Sequence, residues 1–385
     1  MMQDRTSFDY IIIGNGLAGL QLALELSKDP FFKSHTIGLI DSSLKDANDK
    51  TWSFWEIGAG KWDLIVEQTW HTAKFESPEI SLEIPLQDYR YKTIRSLEFY
   101  EAAKTRLLSH PNIKFIVDTV EEIQEGPTSQ VKGKKQTYAA THIFDSRVPE
   151  EFYAAKASHT LIHQHFKGWI IETDTPRFNP EAFTMMDYRF QYKDSTSFIY
   201  VLPFSETKAL VEYTFFTPFT VATEIYETAI KRYLLEEHKI ESFRIIETEI
   251  GNIPMTDFLF WKYHTKNVTK IGTGGGWVKG STGYSFKHTE KNVAKLIANI
   301  KAGNAPSHRL FKKKYKFYDK IFLKVLHDEN EKGVWIFERF YSKNTIQTMF
   351  RFLDEETTFS EDLAIMKSLF SLAFIKAFFK VLFKF

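Results

Sequence analysis

An apolar run, Tyr10-Ile11-Ile12-Ile13, leads directly into Gly14-Asn15-Gly16-Leu17-Ala18-Gly19 and then into an amphipathic stretch ending near Ser27. That order predicts strand, tight turn and helix, and the helix N-terminus so formed offers free N–H groups to phosphate. Gly14 permits the turn, Gly16 lets the backbone approach a pyrophosphate, and Gly19 lets the helix pack closely on the strand. A second apolar run, Thr36 to Ile40, ends in Asp41. A carboxylate at that point accepts hydrogen bonds from ribose hydroxyls, and it completes a βαβ unit of about 30 residues. Glycines at this spacing also mark ordinary turns. Here the flanking strand, the helix and the terminal acid together make Gly14, Asn15, Gly16, Leu17, Ala18, Gly19 and Asp41 a dinucleotide-binding set.

The rest of the composition narrows the function by exclusion. Fifty basic residues balance 49 acidic ones, leaving a formal charge of +1. No global field then draws the chain to nucleic acid or to a polyanion. Cysteine is absent, which removes thiolate nucleophiles, disulfides and zinc–thiolate sites and fits a reducing cytoplasm. Met1 to Phe8 is polar and lacks the basic-then-apolar layout of a secretory signal, so a cytoplasmic location is expected. The 36 phenylalanines suit a long apolar ligand, and equally a proteome biased towards Phe.

The parallel sheet is expected to begin at 1–75, which includes a Trp-rich excursion, and to continue through 76–150 with a helix at Ser96 to Ser109. Strands are expected at Phe115-Ile116-Val117 and Ile143-Phe144. Period-two alternation dominates 151–264, in segments such as Phe198 to Leu202 and Ala209 to Phe215. This predicts an inserted antiparallel sheet with one helix near Ala222 to Leu235. The stretch 265–300 returns to the first domain through Lys270-Ile271-Gly272, a glycine run, and Ser281-Thr282-Gly283 opening a helix. The fold class is α/β of mixed α+β character, closed by a basic, helical 301–385.

The first motif alone does not choose between NAD and FAD. Its N-terminal position, the long interrupted first domain and the late glycine-rich turn favour FAD, whose ring reaches across the fold to that second turn. Gly274, Gly275, Ser281, Thr282 and Gly283 would then supply donors near the ribityl chain and ring. Arg95 has two open readings, a pyrophosphate contact or a solvated charge before a helix.

Further segments carry more specific information: Asn48 to Trp55 (NDKTWSFW), Tyr89 to Ser96 (YRYKTIRS), Phe144 to Arg147 (FDSR), Gln164 to Trp169 (QHFKGW), Met186-Asp187, Val201 to Ser205 (VLPFS), Leu210 to Thr214 (LVEYT) and Ser281 to Phe286 (STGYSF). In content and order they resemble bacterial lycopene β-cyclases, over nearly the whole chain up to about Ile300. One position departs, Lys50, where the family usually has Arg.

The resemblance implies a Rossmann-like FAD domain of the glutathione-reductase type. It also implies an isomerase (an intramolecular lyase) that converts lycopene ψ-ends to β-rings, giving γ-carotene and β-carotene without net redox change. The flavin is reduced by NAD(P)H, and the partner is lycopene or a related linear carotenoid. Glu212 in LVEYT matches the family's essential acid. A carboxyl on an apolar strand should keep its proton near neutrality, as a general acid requires, although alternation alone reads it as a strand-edge carboxylate in water. Asp187 is a second acidic candidate through the same match. Trp52 and Trp55 are candidates for an electron-rich wall that stabilises a passing cation, or are ordinary core aromatics.

Asp354-Glu355-Glu356 resembles the plant enzymes' acidic signature, but that signature aligns with LVEYT, which follows Pro203-Phe204-Ser205. The later acids are expected to be a helix cap and a solvated turn. His163 and His165 share a strand face without a third ligand and are expected to be structural, so no metal is expected. Lys312, Lys316, Lys320 and Lys324 form a helical stripe that faces either lipid or the body of the protein. Lys376, Lys380 and Lys384, among Phe and Leu, predict an in-plane membrane contact and a peripheral association. Two other functions compete: a flavin-dependent isoprenoid reductase or hydroxylase, and a membrane-associated carotenoid-binding flavoprotein without catalysis.

Overall fold

The computed structural model describes residues 6–154 and 158–383. Strand β1 (Ser7–Ile13) buries Ile11, Ile12 and Ile13, as a central parallel strand must. It feeds helix α1 (Leu17–Lys28), whose start no side chain caps, and the chain returns as β2 (Ile37–Asp41). Next come β3 (Thr51–Ile57), β4 (Gln68–Trp70), β5 (Thr72–Glu76), β6 (Ser81–Pro85) and β7 (Tyr89–Arg95), then α2 (Ser96–Leu108). Strands β8 (Ile113–Val117), β9 (Val120–Gln124), β10 (Ser129–Gly133) and β11 (Thr137–Asp145) precede the short α3 (Glu150–Ala154).

The first sheet has the order β8-β2-β1-β11-β10-β9. β8, β2, β1 and β11 run parallel, and β9 to β11 form an antiparallel meander. The polar Gly126 to Gln136 stretch, which reads from its residues as a hairpin-like loop between strands, therefore contains a strand, β10. Its alternation Ser129, Val131, Gly133 is buried inward among mostly polar residues, too short a signal to stand out.

The second sheet is built from β12 (Leu161–Glu172), β13 (Ala182–Asp187), β14 (Ser197–Pro203), β15 (Lys208–Thr217) and, after helix α4 (Thr223–His238), β16 (Arg244–Thr256). Its order, β16-β12-β15-β14-β13-β5-β6, includes two strands from the Trp-rich excursion. β5 pairs in parallel with β13, Thr72 lying beside Ala182. β3, β4 and β7 form a small third sheet.

Alternation along β12 and β15 divides the large sheet into two faces. Trp169, Ile171, Val211, Tyr213 and Phe215 pack on α4, while Ile170, Leu210 and Phe216 belong to the core under the C-terminal helices. The chain returns to the first sheet through β17 (Val268–Lys270), parallel to β11, and a single-turn helix at Gly272–Gly275. α5 (Phe286–Lys301) follows and packs on α1. It starts five residues after Ser281, because Gly283 takes a left-handed φ of 74° that ends one turn before the helix begins.

Helices α6 (Lys313–Asp328), α7 (Gly333–Lys343), α8 (Ile346–Leu353), α9 (Phe359–Ser368) and α10 (Leu372–Phe383) complete the fold. Along the α6 stripe burial lowers the pKa of Lys316, Lys324 pairs with Asp328 of the same helix at 2.9 Å, and the exposed Lys312, just before the helix, donates to the Glu355 carbonyl at 2.5 Å. α9 and α10 differ, with Phe359, Leu363, Phe370, Phe379, Leu382 and Phe383 exposed. Lys376 is exposed on α10, Lys380 pairs with Asp328 at 2.7 Å, and Lys384 lies outside the described residues. Among the described residues no helix is long and apolar enough to cross a membrane.

Candidate active site

The parallel strands of the first sheet end together, and the cleft starts there. Gly14 has φ 99°, and a Cβ on it would lie 2.0 Å from Ser146 Oγ. A Cβ on Gly19 would lie 1.9 Å from the Gly14 carbonyl, so only glycine lets α1 sit this close to β1. Around Gly16 a Cβ would meet nothing within 4 Å, which leaves the backbone open to a ligand. Asp41 stands at the end of β2 and accepts from Asn15 N at 2.7 Å. Leu17 and Ala18 begin the uncapped helix and line the same cleft.

Across the cleft, Thr282 and Gly283 form the opposite lip with Gly272 and Thr273. Among the described residues the Thr282 hydroxyl and the Gln164 side-chain carbonyl are buried there without a protein partner, as is Asn15 Oδ1 beside the first turn. Buried polar atoms without partners are costly. Together with the open Gly16 backbone, they fit a dinucleotide lying from the α1 N-terminus towards Thr282. Gly274 and Gly275 serve the packing instead: a Cβ would lie 2.2 Å from the Arg147 carbonyl at the first and 2.5 Å from the Lys270 carbonyl at the second. Ser281 is buried beside Asp319, and neither it nor these two glycines is part of the cleft wall among the described residues. Arg95 is also withdrawn from the cleft. It donates to Thr51 Oγ1 at 3.1 Å and pairs with Glu247 and, at 3.8 Å, with Glu67.

The cleft encloses about 480 Å³ and continues over the second sheet to α7, where Phe337, Phe340 and Tyr341 close it. Its sheet wall is apolar through Phe166, Phe198, Leu210 and Phe216. Glu212 stands in this wall, 8% exposed, hydrogen-bonded by the Thr214 hydroxyl. Among the described residues no cation pairs with it. Burial pushes its carboxyl up to about 8, with Glu249 adding to the shift and the Thr214 hydrogen bond opposing it. Such a group carries its proton at neutrality and can release it to a base.

Asp187 takes the opposite position. It pairs across the sheet with Ile199 on the α4 face. Arg189 binds it through two side-chain bonds, at 3.0 Å and 2.6 Å, and itself reaches Glu237 of α4 at 2.9 Å. The expected second acid is thus a buried structural ion pair, set apart from the cleft because β13 shows Met186 to the cavity and its neighbour to the other side. Trp52 lines the cleft with its edge on Phe99 at 5.4 Å. Trp55 stands one layer back, stacked on Phe350 and edge-on to Tyr284, both at 4.6 Å. Lys50 is on the cleft wall.

The structure also assembles groups that spacing gave no reason to connect. Tyr91 OH lies 2.9 Å from Tyr200 OH and 3.1 Å from Tyr284 OH. Tyr200 donates to Ser53 Oγ at 3.2 Å, Ser53 and Thr93 hydroxyls are 3.1 Å apart, and Thr93 donates to the Trp52 carbonyl at 3.4 Å. Each hydroxyl has one hydrogen, so the chain has a single direction: Tyr284 to Tyr91, Tyr200, Ser53, Thr93 and the carbonyl. Tyr91 and Tyr284 fall inside quoted motifs, yet only the tertiary fold joins them. Glu249, on the cleft wall, escaped notice because β16 alternates polar residues like a solvent-facing strand.

Other readings resolve by contact. Asp354 caps the C-terminus of α8, but the turn after it is ion-paired, Glu355 with Lys279 at 3.4 Å and Glu356 with Lys291 at 2.7 Å. His165 bonds Tyr226 OH at 2.5 Å and stacks on Phe215, and His163 bonds Asn252 at 3.0 Å.

In overall shape the chain is similar to a flavoprotein/dehydrogenase from Cytophaga hutchinsonii, with a TM-score of 0.62 at 12% identity over 98% of this chain and 99% of that one. A geranylgeranyl bacteriochlorophyll reductase-like protein from Thermoplasma acidophilum aligns with a TM-score of 0.61 at 10% identity over 98% and 100%. Halogenase PltM, solved with phloroglucinol and FAD, aligns at 0.59 and 12% identity over 97% and 90%. In sequence, lycopene beta-cyclase from Paracoccus sp. (strain N81106 / MBIC 01143) is 29% identical over 147 residues, a stretch spanning 37% of each protein. The lycopene cyclase protein family matches residues 9–378, so nearly the whole chain, cleft and C-terminal helices included, belongs to that family.

Proposed function

We propose that this chain is a flavin-dependent carotenoid cyclase acting as a lycopene β-cyclase. The observation that carries the reading is Glu212, a buried carboxyl without a cation partner among the described residues, held near its proton-bound form in the same cavity as the dinucleotide cradle. Gly14, Gly16, Leu17, Ala18, Asp41, Thr282 and Gly283 would hold FAD. When bound and reduced by NAD(P)H, the flavin supplies an electron-rich surface that favours a nearby carbocation.

The protein's own part is proton control in a dry site. Glu212 gives its proton to the terminal double bond of a ψ-end, the neighbouring alkene closes on the resulting cation, and loss of one proton yields the ring with unchanged hydrogen count. Phe166, Phe198 and Phe216 line the path with apolar faces, and in the hydroxyl chain the Tyr91 and Tyr200 oxygens already accept hydrogen bonds, which makes them poorer nucleophiles towards a cation.

The α9 and α10 surface supports delivery from a membrane. Apolar residues with Lys376 among them suit an interface, and α9 backs α7, whose other face closes the cleft. Co-sedimentation with anionic vesicles should weaken in a Phe379→Ser, Leu382→Ser, Phe383→Ser variant; unchanged binding would remove the membrane from the proposal.

The decisive experiment is conversion of lycopene by wild type and Glu212→Gln. Wild type should give cyclic product of the same hydrogen count, and the variant should leave lycopene while keeping its flavin. A reduced or hydroxylated product would assign the chain to another isoprenoid flavoenzyme.

A further inference from the structure

We infer that Glu249 is a positioning residue for the acid: its charge, facing Glu212 across a gap left by Gly168, keeps the proton on Glu212. This rests on the proposed role of Glu212 and adds a residue to it.

The register lines up four positions across the sheet. Tyr200 of β14 pairs with Glu212 of β15, Glu212 with Gly168 of β12, and Gly168 with Glu249 of β16. All four share one face. Glu212 and Glu249 are therefore two strand spacings apart, roughly 10 Å between backbones. Any residue at 168 other than glycine would fill the space between them, since a Cβ there would lie 3.2 Å from Glu212 Cβ and 3.4 Å from its Cγ. The cavity opens on both carboxyls.

Their hydrogen bonds differ in kind. Glu249 accepts from Thr51 N at 3.0 Å and from Thr51 Oγ1 at 2.7 Å. Arg95 can only donate, and it donates to that same Thr51 oxygen at 3.1 Å. The Thr51 hydrogen must then point at Glu249, and the line Arg95, Thr51, Glu249 is polarised towards an anion. Among the described residues Glu212 has a single hydroxyl partner, and its site is more deeply buried. Burial raises the pKa of Glu249 as well, with Thr51 and Arg95 opposing it and the nearby Glu247 adding to the rise. Of the two, Glu249 is the carboxyl that ionises first, and its charge then disfavours a second one.

The groups facing Glu212 are Thr214 on its own strand, Tyr200 from β14, Glu249 from β16 and Tyr284 from the loop before α5, while Lys50 and Tyr341 line the same cavity. Glu249 faces Thr51 of β3, Glu247 of its own strand and Arg95 of β7.

The test is an infrared pH titration of the protonated-carboxyl band of the flavin-loaded protein, assigned by its loss in Glu212→Gln. In Glu249→Gln the midpoint should fall by about one pH unit, the size expected of a charge ~10 Å away at an effective dielectric of ~20. The alkaline limb of the cyclisation rate should move with it. Glu249→Asp, which keeps the charge, should restore most of the shift. Thr51→Val, which removes one donor from Glu249 and leaves both acids, should lower the midpoint by less. An unmoved midpoint in Glu249→Gln, or in Thr51→Val should the former not fold, would overturn the inference and leave the acid role of Glu212 standing. A band absent from wild type at neutral pH would overturn both.

Discussion

Two carboxyls of the large sheet, Glu212 and Asp187, are both buried, and their surroundings make them opposite kinds of residue. Asp187 looks towards α4, where Arg189 satisfies both its oxygens and Glu237 extends the pair. Glu212 looks into a cavity of aromatic faces with one hydroxyl for company. Low polarity with a counter-ion makes a structural link; low polarity without one makes a proton carrier. The identity of the acid decides little, and the side of the strand on which it stands decides most of it.

Glu212→Gln should reduce cyclisation by a factor of about 10² to 10⁴, the range for loss of a general acid, with flavin absorbance retained. A comparable loss in Asp187→Asn at unchanged folding would show that the α4 face also acts in the chemistry. Asp187→Asn should instead act on stability, lowering it by about 2 kcal/mol because Arg189 is part-exposed and the pair is partly screened. Thermal unfolding followed by circular dichroism measures this.

The pH response sharpens the contrast. The folded-state pKa of Glu212, about 8, lies above its unfolded value of roughly 4.3. The folded state therefore binds the proton more tightly, and stability falls as pH rises between those two values. The rate should fall above about pH 8 as the acid form is lost. Above that pH, Glu212→Gln should melt at a higher temperature than wild type; a lower Tm would mean that the carboxylate is stabilised when charged. The smallest effect is expected from Tyr284→Phe. It removes the first donor of the hydroxyl chain and should cost about 1 kcal/mol, read as a Tm lower by a degree or two.

The βαβ opening was legible because each part depends on local chain: strand periodicity, glycines with fixed spacing and an acid at a strand end. Glu212 was legible only through LVEYT, since the same alternation describes a surface strand until the opposite face is known to be covered. Asp187 shows the limit of motif matching. Met186-Asp187 located the right strand, but a bulge in the β13–β14 pairing and the helix behind it assign the two side chains to different faces. Arg95 and Gly274 were likewise placed near the right turns and then claimed by Glu247 and by the Arg147 carbonyl, both far away in the chain, while Gly275 is closed in by the Lys270 carbonyl of its own turn. The tyrosine chain and the Glu249 position depend on which strands become neighbours, a property without local sequence signal.

The pairing of β5 with β13 has a consequence for how such a molecule can change. Because β5 and β6, from the first part of the chain, complete one side of the sheet that carries Glu212, that layer is no detachable cassette. Exchanging it between relatives at the apparent borders of the insert would deprive β13 of one of its two neighbours, so new substrate preferences should be sought through side chains along the cleft.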